Sequence, residues 1–370
     1  MKVIVIKSNL KDGFSIIERA SGDNLNLPVL KYALVDSDGE KIKITATNLE
    51  IAISYFVSGK IIEKGRVGIP ISIFNNLLNN IQTERLNIEK RGGKIEVITD
   101  NYKASLQTIP VDDFPIIPTL KNNTKFIEIS GLDLKESIQK VIIATQFSEL
   151  RPELNSILFD YAIDAIKLVA TDSFRLAERV IQRTQFKSNI EDGFKVLIPL
   201  KTAQELIRIL KDDEVVSIYN DENQILFKTE NFELISRLID GNFPDYTAII
   251  PKNFSSEAVV DREEFMKAIK LTGVFSGATN EVKIKILEKG RVMEIYSGSS
   301  DVGENNYALP IKSNNEVEEV GFNWRYIVDV IKVLETPEMF VGFGEDNKPT
   351  MIKSPNEASY FYILMPILRA

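Results

Sequence analysis

The sequence predicts an α+β fold made of three repeats of one plan, each with two helices packed on antiparallel sheets. Three observations predict it. First, K-L-V-A-T-D-S-F-R-L-A-E-R-V (Lys167–Val180) reads as two β-prone runs joined by a short polar turn. Second, that hairpin has an earlier copy, K-I-T-A-T-N-L-E-I-A-I-S-Y (Lys43–Tyr55), in which Ala46 precedes Ala170 by 124 residues. A weaker third copy, V-M-E-I-Y-S-G-S-S-D (Val292–Asp301), places Ser297 127 residues after Ala170. Third, helical patterns recur at the same interval, so helices gather on one face of hairpin-built sheets.

The elements follow in chain order. An opening helix is predicted in each copy, at Asn9–Ala20, Leu132–Gln146 and Asp261–Phe275. The hairpin copies come next. A second helix follows a proline or aromatic, in I-P-I-S-I-F-N-N-L-L-N-N-I from Ile69, I-P-L-K-T-A-Q-E-L-I-R-I-L from Ile198 and G-F-N-W-R-Y-I-V-D-V-I-K-V-L from Gly321. Apolar residues at spacings of three and four give each of these helices one buried face. F-P-I-I-P (Phe114–Pro118) and F-P-D-Y-T-A-I-I-P (Phe243–Pro251) read as linkers. The domains are therefore residues 1–123, 124–251 and 252–370. Repeats joined edge to edge make an arc, and two arcs close a ring.

Composition removes several function classes. Histidine and cysteine are both absent, which excludes disulfides, thiolate nucleophiles, Ser-His-Asp catalysis and the usual zinc ligands. An enzyme would have to work through carboxylates, lysine, tyrosine or a carboxylate-bound magnesium. No apolar run reaches membrane-span length, and Met1–Lys7 turns polar at once, so a cytoplasmic location without membrane contact is expected. The net charge is −8, yet the six helical stretches together carry 13 Lys/Arg against 10 Asp/Glu. A less acidic set of helices in an acidic shell is consistent with a polyanion held at the helices.

Two stretches stand out against the repeat. The first hairpin turn is Thr47-Asn48-Leu49-Glu50, whereas the middle one is Thr171-Asp172-Ser173-Phe174-Arg175. The extra aromatic and arginine point to a site in the second domain. Asp172 and Arg175 pairing to fix the turn is the plainer reading. The chain then ends Y-F-Y-I-L-M-P-I-L-R-A, in which Tyr360–Leu364 reads as a last strand. Met365–Leu368 continues past a proline that cannot donate to a ladder. Such a tail needs a surface, and laid against the second domain it makes an apolar groove for a short peptide.

A-T-D-S-F-R-L-A (Ala170–Ala177), D-G-N-F-P-D-Y (Asp240–Tyr246) and M-P-I-L-R (Met365–Arg369) together resemble the bacterial DNA polymerase III β subunit family, the β sliding clamps, over the whole chain. The resemblance implies a head-to-tail homodimeric ring around duplex DNA, read without regard to sequence, with helices lining the hole. It implies no cofactor and no catalysis. It implies as partners the polymerase III catalytic subunit, the clamp loader, and other replication and repair proteins that insert a short motif between domains two and three.

By position the groove wall is Leu154 and the turn residues Thr171, Ser173, Phe174, Arg175 and Leu176. Pro244, Ile249, Asn323 and Tyr326 continue it, and Ile363, Met365, Pro366 and Ile367 complete it. Phe174 gives area, and Arg175 holds the turn or a ligand carbonyl. The DNA-facing residues are Lys11, Lys135, Lys140, Lys201, Lys267, Lys270 and Lys332. The dimer edge is Lys103 and Leu106 against Val274, Phe275, Asp301 and Glu304, with Leu106 and Phe275 as core residues the alternative. This sequence departs from the family pattern at Asn24, along the uncharged helix Ser72–Ile81 and at the loop Phe147–Arg151. Phe174 and Ala248 depart too, standing where histidine and arginine are common. These make the groove more apolar. Two other classes compete: a peptide-recruiting scaffold ring without DNA, and a magnesium enzyme built on Asp172 with Asp160 or Glu178, which lacks a P-loop.

Overall fold

In a computed structural model the first repeat runs β1 (Lys2–Ile6), α1 (Lys7–Ile17), β2 (Tyr32–Asp36), β3 (Ile42–Thr47), β4 (Ile51–Val57), β5 (Gly59–Glu63), β6 (Arg66–Pro70), α2 (Ile71–Asn80), β7 (Arg85–Arg91), β8 (Lys94–Ile98) and β9 (Lys103–Gln107). The second is β10 (Ile127–Ser130), α3 (Gly131–Ile142), β11 (Ser156–Tyr161), β12 (Ala165–Thr171), β13 (Arg175–Gln182), β14 (Phe186–Ser188), β15 (Phe194–Pro199), α4 (Leu200–Ile209), β16 (Val215–Asn220), β17 (Gln224–Lys228) and β18 (Phe232–Arg237). The third is β19 (Ser256–Asp261), α5 (Arg262–Gly273), β20 (Glu281–Leu287), β21 (Val292–Ser299), β22 (Gly303–Pro310), β23 (Lys312–Ser313), β24 (Val317–Asn323), α6 (Trp324–Val333), β25 (Glu338–Phe343), β26 (Thr350–Lys353) and β27 (Tyr360–Leu364). The structure describes residues 1–22, 26–120, 124–148, 150–345 and 348–368. Asn24, Glu149, the first domain boundary at residue 123, and Arg369–Ala370 lie outside them.

Contacts gather into two compact units. One comprises Met1–Leu132 with Phe186–Ile190 and Arg208–Leu238; the other comprises Asp133–Gln185, Glu191–Ile207 and Ile239–Ala370. Each unit is built on a nine-stranded antiparallel sheet that joins two repeats. In the first unit the order is β14-β10-β16-β17-β18-β4-β3-β2-β6, and β18 pairs β4 from Phe232↔Tyr55 to Ser236↔Ile51. In the second it is β15-β11-β12-β13-β27-β26-β25-β19-β23, and β13 pairs β27 from Arg175↔Leu364 to Arg179↔Tyr360. The first unit also holds a five-stranded sheet, β5-β1-β7-β8-β9. The second also holds a four-stranded sheet, β22-β21-β20-β24. Of the strands equivalent to those at the two junctions, β9 and β22 lie at open edges.

The helices bury one face each. In α1 Leu10, Phe14 and Ile17 point inward, and Phe14 meets Phe74 of α2 with ring centroids 4.6 Å apart. Gly13 permits this packing, since a Cβ there would meet Ile44 at 2.7 Å and Tyr55 at 2.8 Å. Gly273 does the same for α5, where a Cβ would strike the Trp324 ring at 2.6 Å.

Helix bounds differ from the sequence reading for local reasons. Asp261 caps α5, its carboxylate accepting from the Glu264 N–H at 2.8 Å, so it is not a helical residue. Asn323 caps α6 in the same way. The first helix starts at Lys7 and tightens into a 3-10 turn at Glu18–Ala20. After Ile142 the bonding shortens to Ala144 N–H with Val141 O and Thr145 N–H with Ile142 O, so α3 stops short of Gln146. The Phe114–Pro118 stretch is no free linker. Phe114 is buried, and Ile117 and Leu120 pack against Ala52 and Ile235 over the first sheet junction.

Candidate peptide-binding site

The middle hairpin turn is built from its own side chains. The Thr171 hydroxyl donates to the Arg175 carbonyl at 2.7 Å and accepts from the Ser173 N–H at 3.2 Å. Asp172 Oδ1 accepts from the Phe174 and Arg175 amides at 2.9 and 3.0 Å. Ser173 takes a left-handed φ of 77°, a conformation that costs a non-glycine residue and persists only when its surroundings impose it.

Arg175 then locks the turn. Its Nε donates to Asp172 Oδ2 at 2.9 Å and its Nη1 to Asp329 Oδ2 of α6 at 2.8 Å, with the guanidinium 4.1 Å from the Tyr326 ring centroid. The side chains of Asp172 and Arg175 are 1% and 11% exposed. Burial alone would lower the guanidinium's pKa. The Tyr362 hydroxyl and the carboxylates of Asp329 and Asp172 outweigh it and hold the pKa above the ordinary arginine value. Asp172 and Arg175 do pair to fix the turn, and the pair is a buried one. Arg175 is spent on the turn, and the ligand-carbonyl role assigned to it does not fit its surroundings.

The tail lies against the middle hairpin turn and β24. Beyond β27 the Met365 N–H donates to the Phe174 carbonyl at 2.9 Å, and the Ile367 N–H donates to Gly321 O at 2.8 Å. Pro366 between them is buried and has no N–H to lose. Phe174 is 59% exposed, and Ile249 and Ile367 also reach solvent. Leu176 and Ile363 correct the sequence reading. Both are fully buried in the core cluster with Leu158, Val169, Leu197 and Met351, so they support the wall and present no surface to a ligand. Leu154 and Thr171 are buried as well, and Asn323 is taken up as the α6 cap.

The F-P-D-Y stretch closes one side. Phe243 and Tyr246 meet edge to face at 6.2 Å over that core cluster, and the Tyr246 hydroxyl donates to buried Glu178 at 2.6 Å. Burial, then the bond to the Glu178 carboxylate, push the phenol's pKa well above the ordinary 10.0. A raised folded-state pKa means this contribution is complete below that ordinary value and is lost as pH rises through the folded one. Replacing Tyr246 with Phe removes the donor and leaves Glu178 Oε2 short of a partner, which is expected to cost about 1–3 kcal/mol in urea unfolding. The acids of the magnesium reading are all engaged: Asp172 by Arg175, Asp160 by Lys195 at 3.0 Å and Glu178 by Tyr246.

The basic residues divide. Lys11, Lys201 and Lys270 are exposed. Lys267 and Lys332 are exposed but pair with Glu264 and Asp329. Lys140 is corrected: its ammonium is 12% exposed, pairs with Glu357 at 3.2 Å and sits over the Tyr360 ring, so it braces the sheet. Lys135 is half-buried with a partner of its own. At the open edges Lys103 pairs with Glu96 at 3.0 Å, Val274, Asp301 and Glu304 are exposed, and Leu106 and Phe275 are half-buried. No helix among the described residues is long and apolar enough to cross a membrane.

Comparison with known proteins agrees with the three-repeat fold. Three models of the DNA polymerase III beta subunit match: the N-terminal domain at residues 1–118, the central domain at 128–245 and the C-terminal domain at 247–368. A beta sliding clamp of Bacillus subtilis is 27% identical over 381 residues, covering 99% of each chain, and one of Chlamydia pneumoniae is 26% identical with the same coverage. Solved structures cover both chains completely. The DNA polymerase III beta subunit of Thermotoga maritima has a TM-score of 0.91 at 28% identity, and the sliding clamp of Bacillus subtilis 0.93 at 26%. Repeat for repeat and over essentially its full length, this chain belongs to the DNA polymerase III beta subunit family, the bacterial sliding clamps.

Proposed function

We propose that this protein is a sliding clamp, a processivity factor that works as a homodimeric ring of two three-domain chains closed around duplex DNA in the cytoplasm. One observation carries the ring. Two of three equivalent sheet junctions are made within the chain, β18 with β4 and β27 with β13, while their counterparts β9 and β22 remain at open edges. An open edge invites pairing with another chain, and head-to-tail pairing of β9 with a partner's β22 uses both. Enclosure holds DNA without sequence-specific contacts, and the few exposed lysines on the helices suit contact with phosphates alone. No chemistry is required of the protein. A polymerase docked on it stays near the primer end through high effective concentration.

The docking site is the groove among Phe174, Pro244, Ile249, Tyr326, Met365 and Ile367, with the buried Pro366 holding the tail beneath it. The polymerase III catalytic subunit, the clamp loader and repair proteins are the partners that family membership suggests. The Phe174 ring and the exposed Ala248 give an apolar surface, so motifs rich in aliphatic and aromatic residues suit it.

The test is topological. Once loaded, the protein is expected to stay on nicked circular DNA and to be shed when that DNA is linearised. Equal loss from both forms would favour a scaffold ring that does not enclose DNA. Deleting Met365–Ala370 is expected to weaken binding of a polymerase-derived peptide at least tenfold, read by fluorescence anisotropy, with the dimer mass unchanged in light scattering. A monomeric or unfolded product would contradict this division of labour.

A further inference from the structure

The repeat supplies a second copy of the groove's framework. At the first sheet junction the Thr47 hydroxyl donates to the Ile51 carbonyl at 2.9 Å and accepts from the Leu49 N–H at 3.0 Å. Asn48 Oδ1 accepts from the Glu50 and Ile51 amides at 3.0 and 2.8 Å. Leu49 takes a φ of 76°, beside 77° for Ser173. The Arg237 N–H donates to the Glu50 carbonyl at 3.0 Å, as the Met365 N–H does to Phe174. Bond for bond, Thr47, Asn48, Leu49, Glu50 and Ile51 repeat Thr171 through Arg175, and Arg237 stands where Met365 stands.

This junction also holds an open cleft of about 250 Å³. Its apolar lining includes Leu49, Ile51, Ile116, Pro118 and Ile235, and both Arg237 and Glu50 are on its wall. Ile116 is 95% exposed although it belongs to a segment whose neighbours Phe114, Ile117 and Leu120 are packed down. An aliphatic side chain held out beside an apolar cleft by a rigid Pro115–Pro118 frame is placed to cover a ligand. Arg237 is exposed, and its guanidinium has no ion pair or hydrogen bond among the described residues. In the other groove the equivalent position is an apolar methionine, and both arginines at the turn are engaged, Arg175 by two carboxylates and Arg151 by Glu153 and the Ser173 hydroxyl.

We infer that the first junction is a second peptide-docking site, which takes a short extended segment of a partner protein carrying an aliphatic or aromatic residue next to a carboxylate. The apolar side chain enters the cleft under Ile116, and the carboxylate pairs with Arg237. This rests on the groove reading for its framework, but charge separates the two sites. The first junction selects acidic-apolar segments and the last junction selects apolar ones, so one chain can hold two different partners at once.

Octapeptides displayed on phage are selected on the full-length protein, and the enriched sequences are synthesised and titrated by anisotropy. The variants are Arg237→Glu, Ile116→Glu and Phe174→Ala, all at exposed positions, with folding checked by circular dichroism. One class of peptide, with an acid beside an apolar residue, is expected to weaken at least tenfold with Arg237→Glu and with Ile116→Glu and to ignore Phe174→Ala. If every enriched peptide responds to Phe174→Ala alone, or none responds to Arg237→Glu, the second site is refuted. If an Arg237-dependent class appears while no peptide responds to Phe174→Ala, the groove reading has failed and the second site stands. Self-association that Arg237→Glu abolishes, without any such class, would make the cleft a contact between copies and overturn the proposal.

Discussion

Replacing Arg175 with alanine is expected to destabilise the protein by about 3 kcal/mol, because it strands a buried charge. Asp172 is 1% exposed in its side chain and gives one oxygen to two amides and the other to the guanidinium. Without Arg175 the second oxygen is left buried and unpaired, and Tyr326 loses the cation stacked on it. The first repeat shows how the sequence can make the same turn without charge. Asn48 makes the same two amide bonds, and Ile51 occupies the arginine's position. The double variant Asp172→Asn, Arg175→Ile is therefore expected to recover most of the loss, to within about 1 kcal/mol, since a well-packed apolar replacement of a buried pair is often neutral. Urea midpoints of the two variants check this. A single variant as stable as the parent would show the pair to be dispensable. A double variant no better than the single would show that the charge itself orders the turn. The expected functional loss is separate, because the recovered turn lacks the link to Asp329 that ties it to α6.

How much of this was legible depended on range. Hairpins and helices announce themselves over ten residues by periods of 2 and 3.6, so the three copies, the strand Tyr360–Leu364 and the anomalous turn could be read directly. Pairing of β4 with β18 or of β13 with β27 leaves no local period, and it decides which side chains see solvent. Leu176 and Ile363 fall at the meeting of two repeats and are covered on both faces of a central sheet, so family position placed them in a wall that burial denies them. Lys140 looked like any helical lysine until its partner appeared 217 residues away at Glu357. Asp329 was missed for the same reason. It is the one acid of the helix Trp324–Val333, which also carries Arg325 and Lys332, and nothing local ties it to Arg175. The linker reading of Phe114–Pro118 failed because a proline-rich stretch bordered by Phe114 and Leu120 can be packed down as readily as it can span.

Replacing Ser105 with proline is expected to split the ring while sparing the fold of the chain. The two junctions within the chain fix the register for the one between chains. Phe232 and Tyr360 each open the last strand of their repeat, β18 and β27, and pair with Tyr55 and Arg179. Tyr102 is their counterpart in the first repeat, and Tyr307 is the counterpart of Tyr55 and Arg179. Continued antiparallel, this sets Lys103 opposite Asn306 and Ser105 opposite Glu304 of the partner. Lys103 and Glu304 then lie diagonally on one face, where opposite charges attract. The Thr99 N–H bonds to Tyr102 O and the Thr108 N–H to Gly93 O, so the amides of Tyr102, Ala104, Leu106 and Thr108 serve β8. Those of Lys103, Ser105 and Gln107 point away, toward the place a partner strand takes. Proline at Ser105 therefore costs the monomer no ladder bond, and edge strands tolerate it there. It removes a bond at the middle of the dimer junction and puts a ring in the partner's path. A loss of about 3 kcal/mol at each of the two junctions sums to about 6 kcal/mol, a weakening of the dimer by roughly 10,000-fold. Light scattering across a dilution series should show a folded monomer at concentrations where the parent is dimeric, and retention on circular DNA should fall with it. Proline at Ala104 should instead break the β8 ladder and destabilise the first repeat. If Ser105→Pro remained dimeric and stayed on circular DNA, β9 would not be the strand that closes the ring.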